Sequence, residues 1–340
     1  MAGADGNLWF TEEAGNKIGR ITPAGVLTEH AIPAADSQPY GIASGPDGNL
    51  WFTEGAGNKI GRITPAGVVT EFTIPTAGSF PADITTGPDG NLWFTERAGN
   101  KIGRITPAGA ITEYAIPTAS SGPTCIVAGP DGALWFTERG ANKIGRVTPE
   151  GIIVEYPVPF LLTDLAVTDI AAGPDGALWF TQFNFNVHAG IAYGTIGRIT
   201  TGGVITVQAL LPGFSNPAGI TAGPDGALWF TKNGTDIGGL TQIGRITTGG
   251  MVTEYAIPTA FSGAAGIAAD RLSTRGYQIT SVGNARKQSS TTRTLVMYRR
   301  GYRAEAARLA RDAHARIVTP LDGMRPGALM GAQVVLVVGD

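Results

Sequence analysis

Along the first 260 residues, apolar and polar positions alternate in short runs separated by glycine-rich turns, and the runs repeat. One unit reads Tyr40-Gly-Ile-Ala-Ser44, the turn Gly45-Pro-Asp-Gly48, then Leu50-Trp-Phe-Thr-Glu54. A turn at Gly57-Asn58 follows, then Lys59-Ile-Gly-Arg-Ile63, a turn at Pro65-Ala-Gly67, and Val69-Thr-Glu-Phe-Thr-Ile74. Period-two alternation of β-branched and aromatic residues predicts four strands per unit. Asp-Gly and Pro-x-Gly supply the backbone conformations that the tight turns require. In the second strand, Leu50 and Phe52 share one side, Trp51 and Thr53 the other.

All six tryptophans head one motif, Leu-Trp-Phe-Thr: Trp9, Trp51, Trp93, Trp135, Trp179 and Trp229, spaced 42, 42, 42, 44 and 50 residues apart. That period predicts an all-β propeller of six recognisable four-stranded repeats, in six or seven blades. Neighbouring blades cover both faces of each sheet, so Gly61 is expected to leave room for a neighbouring blade's aromatic ring. The repeated arginine (Arg20, Arg62, Arg104, Arg146, Arg198, Arg245) is expected to pair internally with a repeated acid rather than to form a ligand ring. Repeat one begins at its second strand, which leaves a place for a closing strand from after Ile257.

From about Phe261 the Trp motif ends and basic residues appear. Helical spacing covers Ala264 to Thr274 and Tyr302 to Ala315; strands are predicted over Tyr277 to Val282, Arg293 to Tyr298 and Gln333 to Val338. The chain therefore divides into a propeller over residues 1–260 and a small α/β domain over 261–340. Residues 263–269 fit two roles: they match 217–222 in register as a closing strand, and they open the first helix of the tail. The helix is favoured. Arg299, Arg300, Arg303, Arg308 and Arg311 are interspersed with Glu305 and Asp312, which reads as a solvated helix face.

Composition narrows the function. Glycine is abundant, at 50 residues beside 22 prolines, and it falls at fixed turn positions, so it is turn chemistry rather than low complexity. Only 15% of residues are charged and the net charge is -2, so the propeller has no basic field for a nucleic acid. The single cysteine, Cys125, excludes an intrachain disulfide and a multi-cysteine zinc site, and an inert buried thiol is expected there. No apolar run is long enough for a membrane span. A monomer is expected, cytoplasmic as the sequence stands or envelope-associated behind an export signal.

Symmetry breaks in repeats five and six. From Trp179 to Ile196 is 17 residues and from Trp229 to Ile243 is 14, against 9 from Trp51 to Ile60. The insertions lie between second and third strands, on the side of the blade-to-blade connections where propellers usually bind ligands. The first carries His188 and Tyr193, the second Asp236, while Asp83 and Asp169 start inner strands near the central channel. A ligand site is therefore expected from Tyr40, Asp83, Asp169, Tyr193 and Asp236, with His188 as a candidate base. The plainer alternative is that the insertions are solvated loops and the aspartates cap strand ends.

The units Gly-Pro-Asp-Gly-x-Leu-Trp-Phe-Thr-Glu, Asn-Lys-Ile-Gly-Arg-Ile-Thr-Pro and Thr-Glu-Tyr-x-Ile-Pro-Thr, over residues 5–259, closely resemble the virginiamycin B lyase (streptogramin B lyase) family. The resemblance implies seven blades and a magnesium-dependent lyase that opens the ester-linked ring of type B streptogramins by elimination. It also implies a catalytic histidine between Pro and Gly at the start of an inner strand. The matching positions hold Tyr40, Ala82, Thr124 and Ala218. The family's partner glutamate is matched by Glu13 alone; Gly55, Arg97, Arg139, Phe183 and Asn233 stand at its other copies. His30, His188 and His314 all lie elsewhere.

The tail is similar to the C-terminal domain of LytR/CpsA/Psr cell-envelope proteins. The match is carried by Gly-Ile-Ala-Ala-Asp-Arg-Leu (266–272), Arg275-Gly-Tyr-Gln-Ile-Thr-Ser-Val-Gly-Asn284, the 294–298 strand and residues 334–339. Three functions follow. The favoured one is a non-catalytic propeller that binds a small molecule or cell-envelope component. The second is an active magnesium-dependent carbon–oxygen lyase, conferring antibiotic resistance, with a displaced base such as His188 or the matched Glu13. The third is a recombined gene product with no evolved activity.

Overall fold

Each tight turn takes the conformation its residues favour. Gly48 in the Gly-Pro-Asp-Gly turn and Gly67 in the Pro-Ala-Gly turn adopt φ of 78° and 88°. At Gly57-Asn58 it is the asparagine that takes the left-handed position, at φ 54°. Its side chain then holds the next crossover: Oδ1 accepts from Ser79 N at 2.7 Å, and Nδ2 donates to the Thr76 carbonyl at 3.0 Å. The computed structural model describes residues 1–159, 165–184, 194–211, 215–234, 242–256, 295–298, 316–320 and 334–337.

Those turns join antiparallel strands into six successive sheets, the blades. Blade 2 comprises Pro39–Ser44, Leu50–Glu54, Lys59–Ile63 and Val69–Thr73, in that spatial order. Blade 3 begins at Pro81, blade 4 at Pro123, blade 5 at Leu165 and blade 6 at Ser215, each with four strands. Blade 1, by contrast, has three: Leu8–Glu12, Lys17–Ile21 and Leu27–Ala31. Its innermost place is marked by a single bridge, Ala2 opposite Leu8. Among the described residues no helix is long and apolar enough to cross a membrane.

The cores lie between blades. Trp51, Ile60 and Ile74 of blade 2 pack against Ile84, Leu92, Phe94 and Ile105 of blade 3. The same pattern joins blade 3 to 4, 4 to 5 and 5 to 6, so the second strands of blades 2–5 are apolar on both sides because both sides are covered. A fully buried tryptophan or phenylalanine here is worth about 3–5 kcal/mol against alanine.

Two expectations about packing need correction. A Cβ on Gly61 would lie 2.1 Å from the Phe52 ring, and Phe52 is its cross-strand partner. The glycine thus makes room for an aromatic of its own blade, because the two residues face each other in the ladder. The contact with a neighbouring blade falls instead at the Pro-x-Gly turns, where a Cβ on Gly109 would lie 2.2 Å from Phe72. The arginines also divide. Arg146, Arg198 and Arg245 pair with Asp131, Asp175 and Asp225 at 2.6–2.7 Å. Arg20, Arg62 and Arg104 donate to the carbonyls of Pro65, Pro107 and Pro149 in the following blade, each at 3.1 Å, and Arg104 also stands 4.0 Å from its own blade's Asp89. The blade after Arg146 replaces that proline by Thr201 in the turn, and the arginine turns to its own blade's acid.

The described part of the tail is a separate three-stranded sheet. Leu295–Tyr298 lies centrally, parallel to Arg316–Pro320 and antiparallel to Val334–Val337. The first and last match expected strands; Arg316–Pro320 is a strand that the sequence pattern does not predict. A parallel pair requires a crossover, and the stretch between them is where the sequence predicts the helix over 302–315. That helix, the 264–274 helix, the 277–282 strand and the dual-role segment 263–269 lie outside the described residues.

Candidate functional site

Every inner strand of blades 2–6 breaks register at one place. The ladder slips between Pro39 and Ile42, Pro81 and Ile84, Pro123 and Ile126, Val167 and Asp169, and Pro217 and Ile220. A bulge of this kind re-aims side chains. Here it also leaves an amide unpaired, and the threonine of Leu-Trp-Phe-Thr serves it. Thr53 Oγ1 accepts from Gly41 N at 2.9 Å and donates to the Ala82 carbonyl of the next blade at 2.7 Å. Thr95 does the same between Asp83 N and the Thr124 carbonyl, and Thr181 between Asp169 N and the Ala218 carbonyl. The threonines fix both the bulges and the spacing of adjacent inner strands.

Tyr40, Ala82, Thr124 and Ala218 stand on these bulges. Blade 5 adds Thr168, which the sequence motif does not reveal because that blade lacks the preceding proline. Thr168 Oγ1 lies 2.6 Å from Thr181 Oγ1. The next residue in each bulge is Gly41, Asp83, Cys125, Asp169 or Gly219, and the middle three form an electrostatic cluster across blades 3, 4 and 5. Asp83 accepts from Ile84 N at 2.9 Å and, across the blade boundary, from Ile126 N at 3.0 Å. Asp169 accepts from Ile170 N at 2.9 Å and from Ile220 N at 2.7 Å. Cys125 Sγ bridges in the same direction, to the Thr168 carbonyl at 3.2 Å.

Burial dominates the electrostatics. Desolvation raises the Asp83 carboxyl to about 7, opposed by the Ile126 amide and helped by the charge on Asp169. Asp169 is raised by the same desolvation, against the pull of the Ile220 and Ile170 amides. Desolvation and then the two aspartates push the Cys125 thiol well up, so it stays protonated and is no nucleophile. Tyr40 remains 63% exposed. Its phenol is raised first by desolvation and then by Cys125, Asp83, Asp169 and Glu13.

The structure therefore brings together Tyr40, Asp83 and Asp169 from the expected set and adds Cys125. Glu13 is exposed in the turn after Leu8–Glu12, on the side facing Tyr40. His188, Tyr193 and Asp236 lie outside the described residues. Of the other histidines, His30 is architectural: it stacks on Trp9 with ring centroids 5.5 Å apart. The aspartates do more than cap strand ends, since each ties its own blade to the next.

The loops after the Leu-Trp-Phe-Thr strands share a face with the crossovers, as expected. Gly55 N donates to the Gln38 carbonyl, Arg97 N to that of Phe80 and Arg139 N to that of Gly122. Arg97 and Arg139 thus occupy equivalent places on adjacent blades. Arg139 is half-buried; desolvation lowers its pKa first, followed by the charge of Arg97, against the influence of Cys125 and Tyr40. The two arginines share the face of the crossovers, while the Asp83 and Asp169 oxygens accept backbone amides.

Magnesium does not fit this donor set. It requires several free oxygens in octahedral array, whereas Asp83 and Asp169 each already accept two amides. Among the described residues no group of three His, Cys, Asp or Glu side chains could hold a metal ion.

Comparison with known proteins places this geometry. The virginiamycin B lyase family model matches residues 1–187 and 160–274, and the LytR cell envelope-related transcriptional attenuator model matches 259–340. Virginiamycin B lyase from Staphylococcus aureus, as a selenomethionine crystal structure, aligns at 40% identity and TM-score 0.69, covering 79% of this chain and 86% of that one. A catalytically inactive histidine-to-alanine variant of the same enzyme with quinupristin aligns at 45% identity and TM-score 0.61, over 68% and 75% of the two chains. A streptogramin B lyase structure gives 43% identity and TM-score 0.61, over 68% and 74%. Virginiamycin B lyase of Bordetella bronchiseptica is 49% identical over 41 residues, 12% of this chain and 14% of that protein.

Proposed function

Because the chain belongs to the virginiamycin B lyase family, we propose that its propeller keeps the family's binding architecture and uses it for recognition without turnover. One observation carries this reading: the five inner-strand bulges present Tyr40, Ala82, Thr124, Thr168 and Ala218. An elimination needs a base to take the proton α to the ester carbonyl. Alanine and threonine supply none, and Tyr40, with its raised phenol, stays protonated at neutral pH. A relative holds quinupristin in a catalytically inactive histidine-to-alanine form, which is a precedent for occupancy without reaction.

The ligand is a small molecule or cell-envelope component bearing an anionic group, received at the face that carries Tyr40, Arg97 and Arg139. Arginines stand where the family resemblance calls for a glutamate, which inverts the charge offered to a ligand there. Two guanidiniums on adjacent blades suit a carboxylate or phosphate. The LytR-type tail supports an envelope setting for the module.

Calorimetric titration of the full chain with citrate and with quinupristin tests this. Citrate is expected to bind, with affinity falling about tenfold or more both in Arg97→Ala/Arg139→Ala and on raising the salt to 1 M. Citrate affinity unchanged by both arginine substitutions, or no citrate binding at all, overturns the anionic-ligand reading.

A further inference from the structure

The residue after the motif threonine is a glutamate in blades 2, 3 and 4, and it is an anomaly. Glu54, Glu96 and Glu138 are fully buried, and neither carboxylate oxygen of any of them has a hydrogen-bond donor. The lysine opposite each in the ladder does not serve it: Lys59 reaches Glu71 at 3.3 Å, Lys101 reaches Glu113 at 3.2 Å and Lys143 reaches Glu155 at 3.6 Å. The nearby serines, Ser37 and Ser79, donate to Asn16 and Asn58 and are only a minor counterweight to burial. Each trio thus contains two acids and one base.

Blades 5 and 6 show how this charge count is otherwise settled. At the same position blade 5 has Gln182, which donates to Asn142 Oδ1 at 2.9 Å and accepts from Thr195 at 3.0 Å. Thr195 replaces the lysine, and the facing strand Ile205–Leu211 offers no acid. Blade 6 has Lys232 paired with Glu254 at 2.8 Å, with Gln242 in the lysine's place. Both trios sum to zero. In blade 1 the count is again two acids and one base, but Lys17 and Glu29 are about 40% exposed and water screens them. In blades 2–4 the inner acid is fully buried and its two partners are only 13–28% exposed, so screening is weaker and the count reaches zero only with one added proton each.

We propose that Glu54, Glu96 and Glu138 are held as neutral carboxylic acids that donate to Glu71, Glu113 and Glu155, and that their ionisation unlocks the loops of the candidate-site face. The connection to that face is direct. Glu71 Oε1 accepts from Ala34 N, Glu113 from Thr76 N and Glu155 from Thr118 N, all in the crossovers. Glu54 Oε2 also lies against Gly57 in the loop beside Ser37. An added negative charge would fall between two loops whose amides and carbonyls define the rim.

The electrostatics agree in direction. Desolvation first, then Glu113, raises Glu96 to about 8 against Lys101 and Ser79. Desolvation first, then Glu155, raises Glu138 to about 8 against Lys143. Glu54 is raised likewise, by desolvation and then Glu71, against Lys59 and Ser37. Each folded-state pKa lies above the unfolded one. The associated stability is therefore complete below the unfolded carboxyl range and is lost as pH rises towards 8.

The test compares the full-length protein with its Glu54→Gln/Glu96→Gln/Glu138→Gln variant, which gives blades 2–4 the side chain that blade 5 has at Gln182. The wild type is expected to lose melting temperature steadily from pH 5.5 to 8.5, with faster amide exchange at residues 55–57 and 97–99. The variant's profile is expected to be flatter by most of that loss. Infrared spectra supply a second readout: at pH 6 the wild type should show protonated-carboxyl absorption beyond that of the variant, which keeps the raised Asp83 and Asp169, and the excess should diminish by pH 9. Parallel melting profiles for the two proteins, or no such excess at pH 6, would overturn the proposal.

Discussion

Blades 2–4 and blade 5 bury the same apolar residues, blade 6 most of them, and surround them with different polar ones. Trp93, Phe94 and Ile102 in blade 3 have their counterparts in Trp179, Phe180 and Ile196 in blade 5, all fully buried. Around them, Glu96 becomes Gln182 or Lys232, and the arginines that reach into the next blade, Arg62 and Arg104, give way from Arg146 of blade 4 onward to arginines that pair at home. The apolar positions specify the blade. The polar positions are exchangeable as sets, provided that buried charge is neutral and the bulge amides are served.

Breaking the shared part has the largest effect. Trp93→Ala in an interior blade is expected to cost about 3–5 kcal/mol in chemical denaturation. Trp229→Ala in blade 6, whose tryptophan is only half-buried, costs clearly less; equal losses would mean the cores are not built between successive blades. Next comes Thr95→Val, which removes the acceptor for Asp83 N and the donor to the Thr124 carbonyl. A loss of about 1–3 kcal/mol is expected, measured by the same denaturation.

Gln182→Glu imports the acid of blades 2–4 into a blade without the lysine. It also removes the donor to Asn142, so stability should fall, by about 1–3 kcal/mol at pH 8 and by less at pH 5 in thermal melting. A uniform loss at both pH values would detach the effect from ionisation. The smallest effect is His30→Phe. Desolvation and Arg20 lower the His30 pKa, its buried Nε2 has no partner, and the other blades stack an apolar or phenolic ring on the tryptophan. A gain of roughly 0.5–1 kcal/mol in stability is expected from the same melting experiment.

Much of this fold is legible in the sequence because its signals are local. Asp-Gly turns, the Trp-Phe-Thr alternation and the 42-residue spacing each constrain a few neighbouring residues, and the ring repeats them. Asp83 and Asp169 can be placed on the inner strands for the same reason, by their position in the repeat. What the sequence hides is non-local. Its pattern puts the wrong neighbour over Gly61, because strand pairing, not chain order, brings Phe52 there. Thr168 is concealed by the loss of the proline that marks the other bulges. The two modes of the repeated arginine depend on a turn in the following blade, about 45 residues away, as with Arg104 and Pro149. Arg316–Pro320 carries too short an apolar run to stand out from the helix predicted before it.

The central claim is that this propeller retains a ligand face without the family's base. It is tested most directly by incubating the full chain with quinupristin and magnesium and separating products by chromatography with fragment-ion mass spectrometry. Elimination yields a linear isomer of unchanged mass, so separation is essential. The account predicts no linear isomer above the protein-free control. Protein-dependent ring opening would contradict it, and its loss in His188→Ala would place the base in the blade 5 insertion.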